Sequence, residues 1–199
     1  MRRFLSALAV LAVCWSSLAE GQKVTCSLRV SPKAGESSVS GGSRGGLASL
    51  SSGASSSKTI KRQLRWLAEL RFREKRPEQT KLKVYYIGYG DGGKKIKLLK
   101  DETHAVELDK NGCAKVELES PMTTLNKTRS QTTSRGNGGF VSTKSSIRGE
   151  RVAGCVVQVF ADGELVENYS SDSRWAAVAK KVPFSVKELE EKAGRIGLR

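Results

Sequence analysis

The sequence holds a single histidine, His104, and four cysteines in 199 residues. One histidine excludes a multi-histidine metal centre, and with no Cys-x-x-Cys pair a structural zinc site has no ligand set. No phosphate-binding loop or dinucleotide fingerprint occurs. Gly136-Asn137-Gly138-Gly139 is a polar stretch without the strand and helix that would turn it into a phosphate cradle. No cofactor and no enzymatic activity are expected. Hydrophobic residues make up 38%, low for a chain that packs its whole length into a core, so part of it is expected to be disordered.

The apolar run from Phe4 to Val13 falls short of the roughly 20 residues a membrane-spanning helix needs. Preceded by Arg2 and Arg3 and followed by Ser17-Leu18-Ala19, it has the pattern of an export signal over residues 1–19. The expected destination is the periplasm, the cell surface or the medium. Two further segments look unable to fold by themselves. Residues 31–59 contain 11 Ser and 6 Gly and read as a disordered linker behind an N-terminal strand in residues 20–30. Residues 127–149 carry Lys127, Arg129, Arg135, Lys144 and Arg148 with no acid, and read as a mobile basic loop inserted in the domain.

What remains alternates with period two. Leu64, Trp66, Ala68, Leu70 and Phe72 share one face of an expected strand while Arg65, Glu69, Arg71 and Arg73 share the other. A helical reading of the same stretch would put Arg71 on the apolar stripe. Lys81 to Tyr89 is β-rich, and Lys94 to Lys100 is a short basic strand. Asp109-Lys110-Asn111-Gly112 separates two alternating runs as a hairpin turn would. Val152 to Phe160 is apolar on both faces, as a central strand is, and Asp162-Gly163 folds it back on Leu165 and Val166. Trp66, Leu70, Phe72, Val84, Val116, Leu118, Val156 and Phe160 form the expected core. The period changes after Ser171, where a short helix is expected, with a helical tail over 183–199. The fold read from this is mainly β, an antiparallel β-sandwich over residues 60–182 of immunoglobulin or fibronectin type. The stretches KLKVYYIGYGD (Lys81 to Asp91) and GERVAGCVVQVFADGELVENY (Gly149 to Tyr169) resemble secreted bacterial proteins with such a sandwich. The resemblance implies a fold and a compartment, and no catalytic residue.

Two catalytic arrangements are formally available: a Cys113 or Cys155 nucleophile with His104 as base, and Asp101, Glu102 and Asp109 as paired carboxylates for hydrolysis. Both read more simply as structural or solvated groups, which leaves an unrecognised hydrolase as the third choice. Removing the signal leaves an odd number of cysteines, and the expected bridge joins Cys26 to Cys155. Charge is the positive hint. The chain has 35 basic and 20 acidic residues, a net charge of +15. If Arg65, Arg71 and Arg73 form an outward stripe and Lys94, Lys95 and Lys97 join it, the patch suits an anionic polysaccharide or lipid headgroups. An acidic envelope protein or nucleic acid would meet the same electrostatics. The leading expectation is an exported, non-enzymatic binding or structural module, and the second is a polyanion-binding protein.

Overall fold

A computed structural model describes residues 24–44, 53–73, 75–90, 95–133 and 141–195. The expected signal segment 1–19, Lys94 and residues 196–199 lie outside them. Numbered along the chain, seven of the described strands build a two-layer sandwich. One layer is β1 (Thr25–Lys33), β4 (Arg65–Arg73) and β7 (Cys113–Glu119), in the order β1-β4-β7. The other is β5 (Thr80–Gly90), β6 (Lys95–Ala105), β10 (Arg151–Ala161) and β11 (Glu164–Ser170), in the order β11-β10-β5-β6. All the pairings are antiparallel.

Alternation fixes the facing. Trp66, Ala68, Leu70 and Phe72 of β4 turn inward and meet Leu82, Val84 and Tyr86 of β5, with Leu118, Val157 and Val159 in the same cluster. Period two therefore resolves the 64–72 stretch as a strand, with the expected side inward. Val116 packs at the margin of this core. Val156 faces away from it, into a second cluster on the outer side of the β10 sheet, and Phe160 is buried but belongs to neither cluster. That second cluster explains why β10 is apolar on both faces. Trp175, Val178, Ala179 and Leu189 cover it from a 3-10 turn (Ser173–Trp175), helix α1 (Ala176–Ala179) and helix α2 (Val186–Arg195). Gln158, fully buried on this side, donates to the carbonyls of Ala179 and Lys181 at 2.7 and 2.9 Å and so ties the tail to the sheet. Asp172 caps the 3-10 turn by accepting from the Arg174 backbone N–H.

Both expected turns form. Asp162 and Gly163 both have positive φ, 50° and 91°, as a tight hairpin between β10 and β11 requires. At the Asn111-Gly112 turn the outcome differs from a simple hairpin. Residues 106–108 carry the chain from the β6 sheet across to the β7 sheet, Val106 being buried on the way, and β7 takes β4 as its ladder partner.

The largest departure from the expectations concerns residues 31–59 and 127–149. Their described residues are mostly strand: β1 runs to Lys33, and β2 (Ser37–Arg44), β3 (Gly53–Arg62), β8 (Thr123–Thr133) and β9 (Val141–Gly149) form a second four-stranded sheet in the order β2-β3-β8-β9, while residues 45–52 and 134–140, with Arg135, lie outside the described residues. We call it the arm. Both inserts leave the sandwich beyond the Arg65–Glu119 pair, and β3 and β8 continue side by side into the arm with a one-residue offset from the β4–β7 register. The ladders then run from Arg62–Thr123 to Gly53–Thr132 without a shift. Composition argued against order because it counts side-chain burial; here main-chain hydrogen bonds, templated by the sandwich, satisfy the backbone.

A hydrogen-bonded waist joins arm and sandwich. Ser120 donates its backbone N–H to Leu64 O and accepts the Leu64 N–H on its hydroxyl, each at 2.9 Å, while Thr123 Oγ1 donates to Arg62 O. Gly149 turns β9 into β10 at φ 107°, where a Cβ would also collide with the Thr124 carbonyl.

Candidate functional site

The expected stripe on β4 does face outward, yet it is not a uniformly positive surface. Arg65 contacts Glu119 at 2.8 Å and Glu36 at 3.1 Å, Lys115 of β7 pairs with Glu69 of β4 at 2.8 Å, and Lys33 pairs with Glu117. Lys115 and Lys33 hold the Glu69 and Glu117 carboxyls below the usual carboxylate range. These exposed pairs stabilise little, but they neutralise one end of the stripe and leave Arg71 and Arg73 exposed at the other. Lys95 and Lys97 do not extend it. They lie on β6, in the opposite sheet, and Lys97 pairs with Glu150. Lys94 falls outside the described residues. The acids that pair with Arg65, Glu119 of β7 and Glu36 of the β1–β2 junction, lie far along the sequence from β4.

The arm is different. Its two segments, 37–62 and 123–149, carry nine basic residues and no acidic one. Lys58, Lys61, Arg62, Lys127, Arg129, Lys144 and Arg148 have no ion-pair partner among the described residues. The register sorts the arm into two faces. Val39, Ile60 and Leu125 form one row, and the next row on the same face sets Lys58 directly opposite Lys127, with Ile147 beside them. Directly opposed like charges on a sheet repel, so this row favours an anion between them. Arg129 follows on the same face. The opposite face has Thr59, Asn126 and Arg148 in one row and Ser130 with Lys144 in another, and holds no large apolar group at its described side chains. On the first face a concavity of about 470 Å³ opens, walled by Lys58, Lys127, Arg129, Val39 and Ile147 and floored at Gly41.

The nucleophile candidates are not assembled. His104 Nε2 lies 3.2 Å from Glu102, and no hydrogen bond links it to a cysteine among the described residues. Asp109 accepts the backbone N–H of Asn111 and Cys113 and so organises the turn. The expected Cys26–Cys155 bridge is not formed. Both residues are free thiols on facing sheets, enclosed by core side chains. Burial pushes the Cys26 thiol up to about 11 and that of Cys155 up to about 12, so neither supplies thiolate at neutral pH. Cys113, on the outer face of β7, is half-exposed. Of the three described cysteines, iodoacetamide on the native protein at pH 8 is therefore expected to label Cys113, with Cys26 and Cys155 reacting only after denaturation; mass mapping that finds Cys155 labelled in the native state contradicts the packing described above. Compared with known protein families, with curated proteins and with solved structures, the chain matches none.

Proposed function

We propose that this protein is an exported, non-enzymatic β-sandwich module that holds anionic polymers or surfaces with its arm. The observation that carries the reading is the gathering of eight basic residues, without one carboxylate, into the strands of a single four-stranded sheet. The basic residues of the sandwich, by contrast, are partly paired with acids. Export rests on the leader pattern of residues 1–19. The immunoglobulin or fibronectin-like reading draws support from the strand order: the first, second and fifth sandwich strands share one sheet, and the third, fourth, sixth and seventh share the other. No helix among the described residues is long and apolar enough to cross a membrane.

Two triple variants that remove the same charge test the assignment. Replacing Lys58, Lys127 and Arg129 by Gln should lower the salt at which the protein leaves a sulfonated resin and reduce the log–log salt dependence of binding to a sulfated polymer by about two. Replacing Arg65, Arg71 and Arg73 by Gln should change both far less. Equal shifts from the two triples would show that retention reports net charge, and the arm would lose its claim.

A further inference from the structure

The two faces of the arm share their charge but not their chemistry. Val39, Ile60, Leu125 and Ile147 all fall on the face that bears Lys58, Lys127 and Arg129. Val39 is 58% exposed and Ile147 44%, two of the four large hydrophobic side chains left in solvent among the described residues. The reverse face offers Lys61, Lys144 and Arg148 among Ser, Thr and Asn. A highly hydrated polyanion, such as a sulfated polysaccharide, would gain from either face and nothing from exposed Val and Ile.

We infer that the apolar–basic face of the arm docks on an anionic lipid surface, with Lys58, Lys127 and Arg129 among the headgroup phosphates and Val39 and Ile147 entering the interface. Charge complementarity selects the partner: a second copy of the arm would bring like charge against like charge. The coincidence of cationic and apolar side chains on one side is what interfacial binding needs, because electrostatic attraction brings the face to the headgroups and apolar burial holds it there. Gly41, which lies opposite Lys58 on β2 and carries no side chain, leaves the backbone beside that lysine open to an approaching headgroup. This inference rests on the arm reading above and names its ligand.

The test uses the full chain with vesicles of phosphatidylcholine alone or with about a third phosphatidylglycerol, which gives the surface a negative potential, and a sulfated polymer in parallel. The protein should co-sediment with the anionic vesicles only. Lys58→Gln with Lys127→Gln should weaken that binding about thirtyfold, and Lys144→Gln with Arg148→Gln distinctly less. Val39→Ser with Ile147→Ser, at exposed positions where the fold tolerates change, should weaken vesicle binding at least about fivefold while leaving polymer binding intact. Unchanged vesicle binding by the serine pair, or equal losses from the two charge pairs, would overturn the lipid assignment in favour of a charge-only site. Polymer binding without vesicle binding would overturn it and leave the arm reading standing. Binding to neither would remove both.

Discussion

Trp66→Ala should lower the unfolding free energy by about 3–5 kcal/mol, read from urea denaturation. The indole is 5% exposed, sits opposite Leu118 in the β4–β7 ladder, and lies 6.1 Å from the ring of fully buried Tyr86 across the sandwich. Truncation would leave a cavity between two sheets whose backbones are held by ladders on both sides, so little collapse can relieve it. A loss below about 0.5 kcal/mol, the range of surface substitutions, would mean that the two sheets do not close on this residue.

The second large effect is alkaline. Cys26 and Cys155 have folded-state pKa values raised to about 11 and about 12 from an ordinary value of 9.0. As pH rises past 9 the unfolded chain releases these protons first, which favours unfolding. The stability is fully present below pH 9 and is lost up to about pH 11 for Cys26 and about pH 12 for Cys155. Together the two thiols should cost the native state roughly 4 kcal/mol between about pH 9 and 11. Tyr86, whose hydroxyl is also raised by burial, adds to the fall above pH 10. Denaturation under reducing conditions should show this slope in the native sequence and a much flatter one in Cys26→Ala with Cys155→Ala. The same slope in both proteins would place the alkaline transition elsewhere.

The sandwich was legible because each of its strands has one face in a core and therefore alternates. Trp66 to Phe72 and Ala114 to Leu118 show this directly, and β10 breaks the alternation only because helices cover its second face. The arm was not legible from composition. Ser, Thr and Gly bury little, and what orders them is continuity with strands already paired in the sandwich, a relation between residues such as Ile60 and Leu125 that lie 65 positions apart. A signal that could have found it is the five Thr of residues 123–133, since Thr favours extended backbone. The charge on β4 was legible residue by residue, but the neutralisation of Arg65 was not, because Glu119 reaches it only through the β4–β7 pairing.

The arm's ladders run without a register shift, and among the described residues none of the arm's side chains belongs to either core cluster. Its length is therefore free to vary in descent. Adding two residues to each strand extends its reach by about 7 Å and returns every side chain to its original face, whereas a single added residue would exchange the faces beyond it. Duplications and deletions in even steps can thus set how far from the sandwich the distal charges stand, without disturbing a single contact in the sandwich itself.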